Sequence, residues 1–189
     1  MRRALAIIAV CVLCLTACKE EKSLLSEAIE FRADLVQAKG CRFTAELTAD
    51  YGESIQQFGL SCQTDAQGAT LLTVLAPQTL EGISARVTDE GGMIEYDGLG
   101  MEFGLLANGN VIPAAAPCMV VSCWTKEYIA SAGQEDSYYR VSYQKNFDEK
   151  LLTVDTYFEN GIPFCAEVCY NNSRVLKMTI SDFAFLETE

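Results

Sequence analysis

From Cys41 onward, apolar residues fall on every second position. Cys41, Phe43, Ala45 and Leu47 alternate with Arg42, Thr44, Glu46 and Thr48. Successive side chains of a strand point to opposite faces, so this spacing predicts a strand with one face buried. The pattern returns along the chain. Ile83, Ala85 and Val87 alternate with Ser84, Arg86 and Thr88, and Met101, Phe103 and Leu105 do so around Glu102. Asp50-Tyr51-Gly52-Glu53 turns the first strand into one carrying Phe58 and Leu60, while Gly91-Gly92 and Asp97-Gly98 supply later turns. Leu71 to Ala76 is apolar on both faces, which places it under a helix or in mid-sheet. Further strand-like runs cover Tyr138 to Gln144, Leu151 to Phe158, Ile162 to Tyr170 and Arg174 to Phe185. About ten strands joined by short turns make an antiparallel meander and not βαβ units.

Two segments have helical spacing instead. Leu24, Ala28, Phe31 and Leu35 recur at three- and four-residue steps behind Ser23, a capping residue, and Gly40 is placed to end that helix. The second runs from about Ala114 to Ser131, with Pro113 and Pro117 in or breaking its first turn and Gly133 closing it. A long sheet with one apolar face curls and must cover that face, and these two helices are the available cover. The fold class is therefore α+β, one domain over 24–189.

The N-terminus decides where the chain works. Arg2 and Arg3 precede an apolar run, Ala4 to Leu15. That run is too short to span a bilayer, which takes ~20 residues, so it reads as an export signal. Leu15-Thr16-Ala17-Cys18 resembles the lipobox of bacterial lipoproteins, a plain signal peptide ending near a cysteine being the alternative. The resemblance implies removal of 1–17, diacylation of Cys18 and a charged tether, 18–23. Two acyl chains hold a protein on a membrane where one gives marginal binding. The expected location is the cell envelope, exported and lipid-anchored.

A formal charge of −12 argues against nucleic acid as a partner, because Lys and Arg supply phosphate affinity. The chain has no histidine, which removes Ser–His and Cys–His nucleophile pairs and the commonest zinc ligand. Past Cys18 the cysteines are Cys41, Cys62, Cys118, Cys123, Cys165 and Cys169, an even set that in an exported chain reads as disulfides. The rival is a four-cysteine metal site, but paired CxxC ligands are absent; no metal and no cofactor is expected. A two-residue turn at Tyr51-Gly52 would set Asp50 against Glu53 and Cys41 against Cys62. That is a non-hydrogen-bonded position with α-carbons ~4.5 Å apart, inside disulfide range. Cys165 and Cys169 would lie ~13 Å apart on one strand face, so each would need Cys118 or Cys123 on the inserted helix. Against this, Phe164, Ala166, Val168 and Tyr170 look like the buried side of their strand.

With these elements in place, the chain resembles the LolA-like family of outer-membrane lipoprotein carriers and related lipid-anchored proteins. The residues that carry the likeness are the opening helix before Cys41-Arg42-Phe43-Thr44-Ala45-Glu46-Leu47, then Ala76-Pro77 with Gly82-Ile83-Ser84-Ala85, and Tyr96-Asp97-Gly98. They continue in Gly161-Ile162-Pro163, Ala166-Glu167-Val168 and Met178-Thr179-Ile180-Ser181-Asp182-Phe183. The resemblance implies a half-open β-barrel, its concave apolar face covered by helices, that holds a lipid, a lipoprotein acyl chain or another hydrophobic ligand, with lipid or lipoprotein transport as the wider role. Some lipid-anchored relatives, germination lipoproteins among them, instead bind an exported protein. This chain departs from the soluble carriers: Gln78-Thr79-Leu80 follows Ala76-Pro77 without a basic residue, and an anchored Cys18 would not shuttle.

Chemistry is sparse. Glu46, Glu102 and Glu167 fall on the polar side of strands, so no catalytic pair is expected and the chain does not read as an enzyme. Asn171-Asn172-Ser173 and Gly91-Gly92 read as turns and not as a glycosylation site or a phosphate loop. The candidates for a hydrophobic ligand site are Phe58, Leu60, Ile83, Val87, Tyr96, Phe103, Trp124 and Tyr143, each of which could equally fill a core. Membrane attachment should depend on Cys18: Cys18→Ala is expected to abolish incorporation of radiolabelled palmitate, and equal labelling of both proteins would exclude the lipobox.

Overall fold

The computed structural model describes residues 24–52, 54–107, 110–147, 150–171 and 173–186. The signal segment, Cys18 and the tether lie outside the described residues. Helix α1 covers 24–37. It ends on Lys39 at φ +58° and Gly40 at φ +134°, where the Gly40 N–H donates to the Leu35 carbonyl. A Cβ at Gly40 would lie 2.0 Å from the Thr64 carbonyl oxygen, so only glycine lets the helix turn into the sheet at this point.

The strands are β1 (Cys41–Asp50), β2 (Ile55–Thr64), β3 (Thr70–Ala76), β4 (Ser84–Thr88), β5 (Gly91–Tyr96), β6 (Leu99–Phe103), β7 (Leu106–Ala107) and β8 (Asn110–Val111). Helix α2 (Ala116–Lys126) follows, then β9 (Tyr128–Glu135), β10 (Tyr138–Phe147), β11 (Lys150–Glu159), β12 (Ile162–Tyr170) and β13 (Ser173–Phe185). Eleven strands form one antiparallel sheet in the order β6-β5-β4-β3-β2-β1-β13-β12-β11-β10-β9, and β7 pairs with β8 apart from it. Every neighbouring pair is a hairpin except β1 with β13, which joins the two ends of the domain. The connection from edge strand β6 to edge strand β9 has to cross the sheet, and it carries α2 with it.

The sheet is rolled. In a flat sheet β4 and β10 would stand seven spacings apart, about 34 Å. Yet Lys145 on β10 places its Nζ 3.5 Å from Oδ1 of Asp89, the residue just after β4. The same aspartate pairs with Lys126 at the end of α2, and Lys145 also reaches Glu127 at 3.1 Å. Burial alone would raise the Asp89 carboxyl, but the Lys126 and Lys145 ammoniums beside it outweigh burial and hold it below the usual range. This is the half-open, helix-covered α+β architecture that the resemblance implies.

Three sequence expectations change in detail. The second helix stops at Lys126, and Tyr128–Glu135 is strand β9, paired with β10 through the Asp136-Ser137 turn. Its Ala, Ser and Gly content carries no period that separates strand from helix. Gly91 and Gly92 belong to β5, and the turn is Asp89-Glu90; the Phe103 ring occupies the space a Cβ on Gly92 would need, at 2.3 Å. Of the two placements read for Leu71 to Ala76, the structure takes mid-sheet: β3 lies between β2 and β4, with Leu71 and Leu75 exposed on the convex face.

The cysteine pairing changes most. Asp50 pairs with Ile55, so 51–54 is a four-residue turn in which the Tyr51 N–H donates to the Ser54 carbonyl. Cys41 therefore faces Thr64, and Cys62 faces Phe43. The cysteines become diagonal neighbours, a separation of ~7–8 Å that exceeds disulfide reach. Cys165 lies opposite Tyr157 and Thr179, and Cys169 opposite Thr153, on the face of β12 away from α2. Ala166, Val168 and Tyr170 are the residues that point to the core. The sheet itself separates these two thiols from Cys118 and Cys123, and all six described cysteines stand unbridged.

Asp89→Asn should lower stability by about 1 kcal/mol at low ionic strength and by less in high salt, since the ammoniums remain without their shared partner. A carboxyl held low stabilises only above its unfolded pKa. The wild-type advantage should thus vanish as pH falls below the carboxylate range, which paired urea titrations would measure.

Candidate functional site

The concave face divides into a filled part and an open part. Residues Ala116 to Trp124 of α2 are buried without a break. A helix that is apolar all round belongs inside a fold, and its position under the rolled sheet satisfies that. Trp124 is fully buried, donates its indole N–H to Thr156 Oγ1 at 2.8 Å, and meets the rings of Phe31, Phe43 and Phe183 at 5.6, 6.2 and 6.1 Å. Thr156 is likewise fully buried, so donor and acceptor satisfy one another where water cannot.

Arg32 of α1 fastens the far end of α2. Its Nε donates to the Trp124 carbonyl at 2.7 Å, and Nη2 donates to those of Cys123 at 3.1 Å and Glu127 at 2.7 Å. These are the carbonyls that a helix C-terminus leaves without partners, and a cation there also meets the negative end of the helix dipole. The guanidinium lies 5.8 Å from the centre of the Tyr143 ring. Arg32 was not among the residues singled out from sequence; the available signal is that it is the one basic residue within 24–37, beside core-facing Phe31.

Burial pushes the thiols of Cys41, Cys62 and Cys123 up to about 12 and that of Cys118 up to about 11. Cys165 and Cys169 are raised by the same cause. A reactive cysteine needs the opposite shift. Between Cys41 and Cys118, Thr64 and Thr70 share a 2.8 Å hydroxyl hydrogen bond. Among the described residues, no group of Cys, Asp or Glu converges in a way that could hold a metal ion. On the convex face Asp155 is engaged by Ser142 and Arg140, and Glu167 by Arg174 and Tyr157.

The eight residues picked from sequence as ligand-lining part into two groups. Leu60, Val87, Trp124 and Tyr143 are core, packed against other side chains. Phe58, Ile83 and Phe103 are half-buried at its margin, and Tyr96 is 61% exposed. Phe58 lines a groove of 430 Å³ with Leu47, Ala76 and Pro77, while Tyr96 lines another with Leu99 and Met93. What the structure does bring together is an apolar extension of the core face. Ala85, Ile94 and Met101 lie side by side across β4, β5 and β6, and Tyr96 pairs with Leu99 in the next row. The Pro113–Ala115 turn ahead of α2 passes over β4, while further out Leu99 is 76% and Met101 63% exposed.

No family model and no curated protein matches the chain. Among solved structures it is similar to a LolA superfamily protein from Nitrosomonas europaea, at 7% identity over 89% of this chain and 94% of that one, with a TM-score of 0.44. A DUF1329 family protein from Desulfovibrio piger gives 8% identity, coverage of 87% and 92%, and a TM-score of 0.47. The lipoprotein LppX of Mycobacterium tuberculosis gives 12%, 86% and 96%, and 0.41. These are likenesses of chain path, and the functional reading below stands on the residues of this chain.

Thr156→Val keeps the volume and leaves the Trp124 N–H without a partner, which should cost about 1–3 kcal/mol. Trp124 is the single tryptophan, so its emission during urea unfolding reports the loss directly.

Proposed function

We propose that this chain is an exported, lipid-anchored binding protein of the cell envelope that holds the apolar part of a ligand, a lipid or acyl chain, on the open end of its concave face. One observation carries the reading: the core face continues past its helical cover through Ile94, Met101, Tyr96 and Leu99, three of which are more than 60% exposed. Contiguous apolar surface of this kind marks a binding site more often than chance exposure does. Burial at ~25 cal/mol per Å² needs no catalytic residue. The ligand sits beside α2 in this reading and not beneath it, because Trp124, Tyr143 and Val87 already fill that space.

A second reading takes an exported protein as the partner. Its support is β6, an edge strand next to the same apolar rows, whose outer backbone groups are available for pairing. The filled interior under α2 also favours it over an enclosed lipid cavity.

The experiment that separates them uses protein from Lys19 onward, purified without detergent. Mass spectrometry of an organic extract should find a lipid, and a fluorescent fatty acid should bind about tenfold or more weakly to Tyr96→Ser/Leu99→Ser/Met101→Ser. Lipid-free protein that takes up neither fatty acid nor lipopeptide would sink the first reading, and co-purification of an exported protein at fixed stoichiometry would establish the second.

A further inference from the structure

The solvent side of α1 carries Glu27, Glu30 and Asp34 in one row, and the row borders a groove of 480 Å³. Opposite lie the β9–β10 turn with Gln134 and Ser137, and the β11–β12 turn with Asn160; Phe31, Phe158 and Phe185 form the apolar wall. Among the described residues none of the three carboxylates has an ion-pair partner, in contrast to Asp65, Asp89 and Asp155.

A second feature of the groove is independent of the first. Tyr139 lines it, is only 6% exposed, and stacks on Phe158 at 5.1 Å with the rings 8° apart. Its hydroxyl is buried and has no hydrogen-bond partner. Burial, then the carboxylate of Glu27, which lines the same groove, push that hydroxyl up to about 12. A buried hydroxyl left unpaired costs about 1–3 kcal/mol, so the site is incomplete as it stands.

The chemistry of the missing group follows from the spacing. The carboxylates run along about 10 Å of helix and do not converge on one point, so they suit no single metal ion. They suit positive charges set apart by methylenes, which the phenylalanine wall would cover. We propose that this groove binds a linear aliphatic polyamine, its ammonium groups facing Glu27, Glu30 and Asp34 and one N–H donated to the Tyr139 oxygen. The site is separate from the open apolar rows on β4, β5 and β6, and does not rest on them.

Spermidine is the probe, titrated calorimetrically into the protein from Lys19 onward at low salt. A chain of charge −12 attracts any polycation, so the comparison must hold total charge constant. Glu27→Gln/Glu30→Gln/Asp34→Asn should weaken one-to-one binding by more than about tenfold, three ion pairs being lost. Glu81→Gln/Glu95→Gln/Glu102→Gln, with the same charge removed elsewhere on the surface, should leave it within about twofold. Tyr139→Phe should weaken it about three- to tenfold with the urea midpoint unchanged or raised, because the unpaired hydroxyl is gone. The proposal is overturned by equal weakening in both charge triples, by wild-type affinity in Tyr139→Phe, or by the lack of a saturable one-to-one complex. Tighter binding of tri-lysine than of spermidine would overturn the ligand class.

Discussion

The contact between Asp89 and Lys145 is possible only if the sheet is rolled, and the rest of the molecule follows from that curvature. Two strands seven places apart meet across the end of α2, with Lys126 and Glu127 of the helix terminus completing the ion-pair group. Such pairs add little individually when half exposed. Their place here is to fix where the roll stops, while the driving force lies in the apolar face they enclose. From α1, Arg32 completes the same junction by occupying the helix carbonyls. Helix α2 is thus held at its C-terminus by groups from α1, β10 and the β4–β5 turn together.

Curvature also explains why the concave face has two characters. Where the sheet closes on α2, the side chains interdigitate around Trp124, whose indole N–H is satisfied by Thr156. Towards β6 the strands run out from the helix, and the same inward-facing positions carry Tyr96, Leu99 and Met101 into solvent. One alternating pattern therefore produces packing residues and candidate binding residues alike, and the difference is the presence or absence of a covering element. The groove under Glu27, Glu30 and Asp34 obeys another logic, charge set over an aromatic floor.

The strand periodicity was legible because a half-buried strand writes its burial directly into alternate residues, as Cys41 to Leu47 and Ile83 to Val87 do. Asp97-Gly98 was legible as a turn because both residues tolerate positive φ, and they adopt +49° and +76°. Tyr128 to Glu135 was not, since small and polar residues pack acceptably in either helix or strand. The β1–β2 register misled for a related reason: a two-residue and a four-residue turn are both compatible with Tyr51-Gly52, and each added pair of turn residues shifts every cross-strand partner by two. Cys41 and Cys62 consequently face Thr64 and Phe43 and not each other.

Sequence alone determined which strand residues turn inward and that two helical segments exist to cover them, because each is a local pattern of polarity and spacing. Tertiary structure alone decided which inward residues become core and which stay open, since that depends on how far α2 reaches across a sheet whose curvature no local pattern records. It likewise decided that Arg32 caps a helix 91 to 95 positions away and that Tyr139 brings an unpaired hydroxyl to a row of carboxylates. Those juxtapositions arise from the rolled sheet bringing distant segments within a few ångströms.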